Sequence, residues 1–207
     1  MKHFKLILWI LLGLFIALAL FYKFIFLRDN DNLIPAGNNM VSPASGKIIS
    51  IQEIDKNSDI SIRKGFFGKI FTTNNENQKY TLINIFMTPF NVHYQKMPLT
   101  GKIREIIHQP GRFVSVNSIR AALVNEKQEF LLDTKVGLVK VIQIAGFLAR
   151  RNKALAKVND ELQKGDRIGQ ILLGSQVALL LPIDACSELK VKVGDKVSSG
   201  ETVICDL

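Results

Sequence analysis

The hydrophobic and polar positions of this chain fall into two regimes. From Leu6 to Tyr22 the sequence reads LILWILLGLFIALALFY, 17 residues without a charge, and only Lys23 interrupts the apolar run before Leu27. At 1.5 Å of rise per residue, Leu6 to Leu27 makes a helix of roughly 33 Å, which matches a hydrocarbon core of about 30 Å. Lys23, near one end, can lay its stem along lipid and keep its ammonium among headgroups. The pattern predicts a membrane anchor. A cleaved secretion signal is the competing reading, and Ala17-Leu18-Ala19 has the small residues of a cleavage site. That triplet lies inside the apolar run rather than after it, and the run exceeds the usual length of about 7–15 residues.

Past the anchor the pattern changes. RDNDNLIPAGNN, from Arg28 to Asn39, is polar and broken by Pro35 and Gly37, as expected of a linker. Short runs rich in β-branched and aromatic residues then predict strands at Tyr80–Met87, Gly137–Ala145, Ile168–Leu173 and Val177–Leu181. The charged stretch Leu148–Leu162 is a candidate for a short helix, and Gly65-Phe66-Phe67-Gly68 reads as a turn. The expectation is a mainly β (α+β) protein with an anchor over 1–28, a linker over 29–40 and one β-rich domain over 41–207.

Two local echoes run through that domain. Pro43-Ala44-Ser45-Gly46-Lys47-Ile48 resembles Pro98-Leu99-Thr100-Gly101-Lys102-Ile103, and Lys164-Gly165-Asp166-Arg167-Ile168 resembles Val193-Gly194-Asp195-Lys196-Val197. Glycine-aspartate before a β-branched residue signals a turn followed by a strand. VKVGDKVSSGETVI also resembles the hammerhead half of biotinyl and lipoyl domains, without the lysine motif that carries their cofactor.

Charge and composition narrow the functional classes. The formal net charge is +9 over 207 residues. Residues 1–28 hold Lys2, Lys5, Lys23 and Arg28 and no acid, which leaves 23 basic against 18 acidic residues beyond them. That balance suits an anionic membrane surface, where each Lys or Arg contributes roughly 1 kcal/mol. It is too mild and scattered for nucleic acid, and no basic stripe is interleaved with aromatics. Cys186 and Cys205 make neither a metal spacing nor a disulfide framework, so they read as reduced thiols on the cytoplasmic side of a cell (inner) membrane. Positive charge at both ends of the anchor leaves its orientation undecided. His3, His93 and His108 share no ligand spacing, so no metal is expected. No phosphate loop, dinucleotide fingerprint or nucleophile elbow occurs. What remains is Gly174-Ser175 between two apolar runs, a pair that in isolation is most often a turn.

The order of these pieces resembles that of the short, membrane-anchored bacterial and archaeal phosphatidylserine decarboxylases. Phe26-Leu27-Arg28-Asp29 with Ile34-Pro35 is similar to the segment that leads into the family's domain. Val41 to Ile48 is similar to its SPADG stretch. Phe86-Met87-Thr88-Pro89-Phe90-Asn91-Val92-His93, continuing to Pro98 and Gly101, follows the family form F-M-S-x-x-D-x-H-x-x-x-x-P-x-x-G. Pro110-Gly111-Arg112-Phe113, Asn125-Glu126-Lys127, Ile142 to Gly146 with Ala149-Arg150-Arg151, Lys164-Gly165-Asp166 and Leu173-Gly174-Ser175 follow in order. Together they cover nearly all of residues 26–182.

The resemblance implies a zymogen that processes itself. Ser175 would attack the Gly174 carbonyl, converting the peptide bond to an ester. Elimination would then leave a self-generated pyruvoyl group on residue 175, with fragments 1–174 and 175–207 persisting as a heterodimer. Gly174, lacking a Cβ, suits a strained turn, and His93 is the natural base for the hydroxyl. The pyruvoyl carbonyl would form a Schiff base with a phospholipid's serine amine and serve as the electron sink for decarboxylation to phosphatidylethanolamine. His93 or Lys96 would return the proton. Arg150 and Arg151 are candidate partners for the lipid phosphate, and equally well two solvated arginines. Homo-oligomerisation is left open by the sequence.

Three positions depart from the family pattern. Ser45 stands where SPADG has the aspartate thought to orient the histidine, a carboxylate whose loss in serine proteases costs roughly 10⁴ in rate. Asn91 replaces an aspartate two residues before the histidine, and Lys96 stands where longer relatives have a second histidine. Asp55, Asp59 and Asp184 are unranked candidates to replace the missing carboxylate. Two other readings compete with an active decarboxylase. One is a non-cleaving relative that serves as a lipid-binding or scaffold protein at the membrane surface. The other is a lipoyl-like membrane adaptor, which leaves the His93 segment unexplained.

Overall fold

The computed structural model describes residues 2–29, 33–64, 68–73, 77–110, 126–145, 151–172 and 175–207. The apolar run forms α1 (Lys2–Phe21), with Ala17 to Ala19 well inside it, and continues as a single π-helical turn over Tyr22–Phe26. From His3 its side chains are exposed, apart from the half-buried Phe21, until Phe26, which is fully buried. The segment His3–Phe26 is long and apolar enough to cross a membrane. An uncovered apolar surface of this size on a helix is what lipid would cover.

The described strands are β1 (Asn39–Val41), β2 (Gly46–Ile54), β3 (Asp59–Lys64), β4 (Gly68–Thr73), β5 (Tyr80–Met87), β6 (Tyr94–Lys96), β7 (Gly101–Gln109) and β8 (Lys127–Thr134). They continue with β9 (Gly137–Ala145), β10 (Arg151–Ala154), β11 (Glu161–Leu162), β12 (Arg167–Leu172), β13 (Ser175–Pro182), β14 (Glu188–Leu189), β15 (Lys196–Val197) and β16 (Val203–Asp206). Eight form one curled antiparallel sheet in the order β11-β7-β8-β9-β13-β5-β2-β15. Two three-stranded sheets, β10-β12-β6 and β1-β16-β14, and the hairpin β3-β4 complete a single mainly β domain behind the helix.

β13 occupies the middle of the large sheet and explains why Val177 to Leu181 is continuously apolar rather than alternating. Both of its faces are covered. Val177, Leu179 and Leu181 join Ile83, Ile85, Met87 and Val141 in the main core, while Ala178 and Leu180 join Tyr80, Leu82, Ile142 and Ile144 on the other side. All five residues are fully buried, and each large aliphatic chain contributes about 1.5–3 kcal/mol by leaving water.

β5 and β9 occupy the spans the residue pattern predicts, and β12 and β13 differ from it only at their ends. The short helix expected within Leu148–Leu162 is replaced, in its described part, by β10 and β11. β10 pairs antiparallel with β12 from Arg151↔Leu172 to Ala154↔Gly169, and β11 pairs with the start of β7. Long-range pairing overrides local composition there. The linker is also more firmly placed than its polarity suggests. Asp29 pairs with Lys96 and Arg167, Lys164 donates to the Gly37 carbonyl at 3.1 Å and to Asn39 Oδ1 at 2.7 Å, and Ile34 packs against Gly165. The turn expected at Gly65 to Gly68 has residues 65–67 outside the described residues, between β3 and β4.

The cysteines correct the reading of two reduced thiols. Cys186 and Cys205 form a disulfide with Cα atoms 5.7 Å apart. Only β16, returning beside β14 with Leu189 level with Cys205, brings them together, and a separation of 19 residues carries no trace of that.

The first echo has a steric origin. Gly46 and Gly101 open β2 and β7 where the partner strand's carbonyl, that of Phe86 and of Asp133 respectively, occupies the space a Cβ would need. The second is one turn used twice: Gly165 and Gly194 have φ of +94° and +102°, and the following aspartates accept backbone N–H groups from Gln163 and Lys192. Gly46→Val should therefore lower stability by about 1–3 kcal/mol through backbone overpacking, read as a lower thermal transition in detergent. Gly13→Ala, with nothing within 4 Å of the added methyl, should leave that transition in place.

Candidate functional site

The site forms where the end of β5, the loop after it and the start of β13 meet. Ser175 opens β13 level with Met87 of β5 on one side and Ala145 of β9 on the other. A few residues upstream, Ile171 N–H donates to the His93 carbonyl at 3.0 Å, extending the pairing of β12 with β6. The sheet thus brings the chain at His93 and the chain at Ser175 to one end of the molecule. Gly174 and Arg150 lie outside the described residues, and Arg151 opens β10 in backbone register with Leu172.

The loop from Thr88 to His93 is locked by its own turn. Asn91 Oδ1 accepts from both the backbone N–H and the hydroxyl of Thr88 at 2.8 Å, and Asn91 N–H donates to the Thr88 carbonyl at 3.0 Å. The task is that of a side-chain acceptor closing the turn back onto Thr88. An amide oxygen performs it as well as a carboxylate, so the asparagine in place of the family's aspartate keeps the geometry.

His93 is fully buried. Its ring lies 4.0 Å from that of Phe26, tilted by 31°, so the end of the apolar helix roofs the imidazole. Among the described residues neither ring nitrogen makes a well-formed hydrogen bond, though the Asn91 backbone lies near enough to act on the ring, an unusual state for a buried polar group. Burial pushes its pKa down from 6.5 to about 4; the backbone of Asn91 opposes the shift and the Arg28 guanidinium adds to it. The ring is therefore a neutral imidazole at physiological pH, able to accept a proton.

No described carboxylate orients it. Ser45 Oγ accepts the Ser199 backbone N–H at 2.9 Å, a structural bond inside the domain. Asp55 follows β2 beyond Ile54 and pairs with the exposed Lys79, and Asp184 follows Pro182 at the end of β13. In register, Ile54 and Pro182 both sit level with Tyr80, at the opposite end of the sheet and roughly 23 Å along β13 from Ser175. Asp59 belongs to β3, outside the large sheet. Asp29, three residues past Phe26, is engaged in an ion cluster.

That cluster also receives Lys96. Its Nζ lies 3.8 Å from Asp29 Oδ1, Arg167 Nε pairs with the other carboxylate oxygen, and the Arg167 guanidinium stacks 4.9 Å from the Tyr94 ring centroid. Gln95, between Tyr94 and Lys96, points the other way into a chain of buried amides: Gln143 Nε2 donates to Gln95 Oε1 at 2.5 Å, and Gln128 Nε2 to Gln143 Oε1 at 3.1 Å. Lys96 and His93 are thus three residues apart, with Lys96 turned toward the segment that follows the helix.

A cleft of about 600 Å³ opens beside the loop, lined by Ser45, Thr88, Asn91 and Val92 together with Arg28, Lys47 and Lys196. These three cations were not singled out as site residues by the sequence. Arg28 and Lys47 lie inside segments that carry the family resemblance, which is the signal that could have found them; Lys196 has no such flag.

The family model described as phosphatidylserine decarboxylase matches residues 19–205. The chain is 38% identical over 189 residues to a phosphatidylserine decarboxylase proenzyme of Desulfotalea psychrophila, an alignment covering 90% of this chain and 80% of the relative. It is 36% identical to proteins of the same name from the Wolbachia of Brugia malayi, covering 88% of this chain and 74% of the relative, and from Chlorobium phaeobacteroides, covering 91% and 80%.

The buried imidazole sets a pH dependence of stability. Between pH 6.5 and 4 the unfolded chain binds the proton and the folded chain does not. The contribution is therefore whole above pH 6.5 and is lost as pH falls toward 4, a total of about 3 kcal/mol. Denaturant titrations across that range should show the loss, and His93→Phe should remove this component of it.

Proposed function

The chain belongs to the phosphatidylserine decarboxylase family, and we propose that it is made as a precursor that cuts itself between Gly174 and Ser175 and then converts phosphatidylserine to phosphatidylethanolamine. The observation that carries this reading is the fully buried His93, without a well-formed hydrogen bond to either ring nitrogen among the described residues, whose backbone carbonyl accepts from Ile171 four residues before Ser175. A neutral imidazole excluded from water is the base that a serine hydroxyl needs.

In the first step Ser175 Oγ gives its proton to His93 and bonds to the Gly174 carbonyl carbon. The Gly174–Ser175 C–N bond breaks as the amine takes a proton, leaving an ester. Loss of the Ser175 Cα proton then expels the Gly174 carboxylate and leaves a dehydroalanine on residue 175. Tautomerisation and attack by water release ammonia and leave the ketone of a pyruvoyl group. The residues present suit that group, since Ser175 supplies its carbons and Phe26 with the buried core excludes bulk water. Once formed, the ketone supplies an electron sink for the headgroup amine as CO₂ departs. Each decarboxylation consumes a proton from solvent, and His93 would take it up and deliver it to carbon, with Lys96 the second candidate. Arg151, beside Leu172 in register, and Arg150 stay candidates for the lipid phosphate.

The fold accounts for how two fragments would stay together. Every strand from β13 onward would belong to the short fragment 175–207, and β13 is hydrogen-bonded on both sides to strands of the long one. The Cys186–Cys205 disulfide would lie within the short fragment and is not needed to hold the pair. The helix would confine the enzyme to the bilayer that contains its substrate, raising the effective substrate concentration.

Intact mass under denaturing conditions tests the reading. The expected result is two fragments dividing between Gly174 and Ser175, the shorter with a pyruvoyl end, that co-elute under native conditions; Ser175→Ala should stay whole. Restoring the family carboxylate with Ser45→Asp should speed cleavage at least tenfold in a pulse-chase. A wild-type chain that stays at full mass while still binding lipid would sink the enzyme reading. It would favour the non-cleaving relative, to which the absence of a described carboxylate facing His93 already points.

A further inference from the structure

Three cations converge on the cleft beside the site from three different elements. Arg28 comes from the segment two residues past the helical turn that ends at Phe26, Lys47 from β2 and Lys196 from β15. Lys47 and Lys196 are directly opposed in the antiparallel β2-β15 pair, with Cα atoms about 5 Å apart. Like charges opposed across a ladder are destabilising unless an anion lies between them. Among the described residues, no carboxylate lies within ion-pair distance of Arg28, Lys47 or Lys196, and none lines the cleft.

Arg28 is also held ready. Its guanidinium donates to the Ile25 carbonyl at 2.6 Å and the Phe90 carbonyl at 2.5 Å, which uses two of five N–H groups and leaves three for a planar acceptor such as phosphate. Phe86, level with Lys47 and 42% exposed, gives the cleft an apolar wall. We infer that this cleft binds the phosphodiester of a membrane lipid headgroup, with Arg28, Lys47 and Lys196 sharing its charge and Phe86 meeting the carbons that follow it.

Depth favours a lipid over free phosphate. Lipid phosphates lie just outside the hydrocarbon core, and Arg28 stands just past the last residue of the apolar span His3–Phe26. Phe86 is level with Gln176 of β13 on the face of the sheet opposite to Met87. The inference rests on the decarboxylase reading only for the identity of the headgroup.

The test titrates the full chain in detergent with dihexanoyl phosphatidylglycerol, which has the same phosphodiester and no amine to react, and separately with inorganic phosphate, by calorimetry. Lys47→Gln and Lys196→Gln should each weaken lipid binding at least fivefold and the double variant at least twentyfold, with Lys47→Arg and Lys196→Arg retaining it. Lys79→Gln, at the far end of the sheet, should bind as wild type does. Unchanged lipid affinity in the double variant overturns the inference, and so does inorganic phosphate binding as tightly as the lipid. Mass spectrometry on the same samples separates the two readings. Lysine-dependent lipid binding by an uncleaved chain leaves this site standing without the decarboxylase, and lysine-independent binding by a cleaved chain does the reverse.

Discussion

β13 enters the eight-stranded sheet with Ser175 level with Met87 on one side and Ala145 on the other, and the rest of the site takes its position from that register. A slip of one residue would turn Val177, Leu179 and Leu181 out of the main core and exchange them with Ala178 and Leu180. Because both faces are buried, neither slip direction is tolerable. The same ladder that stabilises the domain therefore fixes where Ser175 lies relative to the loop after β5.

The helix is joined to this arrangement through contacts rather than by tethering alone. Phe26 roofs His93, Phe21 packs edge-on against Phe90 with centroids 5.6 Å apart, and Arg28 bonds the Phe90 carbonyl. Asp29 then binds Lys96 and Arg167. Burial, to which Phe26 from outside the β domain contributes, keeps the imidazole neutral.

Electrostatics separate the two sides of the site. On the His93 side there is a neutral base and no described carboxylate to orient it, since Ser45 has turned its hydroxyl to the Ser199 backbone. On the cleft side are three cations, with no described carboxylate within ion-pair distance. The three departures from the family pattern differ in physical weight for this reason. Asn91 retains an acceptor in its turn and Lys96 is absorbed by an ion cluster, while Ser45 removes a charge that nothing described replaces.

The sequence by itself determined whatever depends on neighbours along the chain. The uncharged stretch from Leu6 to Tyr22 is a helix whatever it packs against. The alternating and β-branched runs at Tyr80–Met87 and Gly137–Ala145 are strands at those residues, and the Gly-Asp turns repeat because their backbone needs a positive φ. The order of motifs around His93 and Gly174-Ser175 also carried the family. Tertiary structure alone decided which residues meet. The charged stretch after Leu148 became strand because β12 and β7 offered it partners. Cys186 met Cys205 because β16 returned beside β14, and Lys47 met Lys196 because two short strands paired at the sheet's edge. Composition and spacing describe a residue's own preferences, whereas burial, ion pairing and cross-strand adjacency depend on distant partners, and only the folded register supplies those.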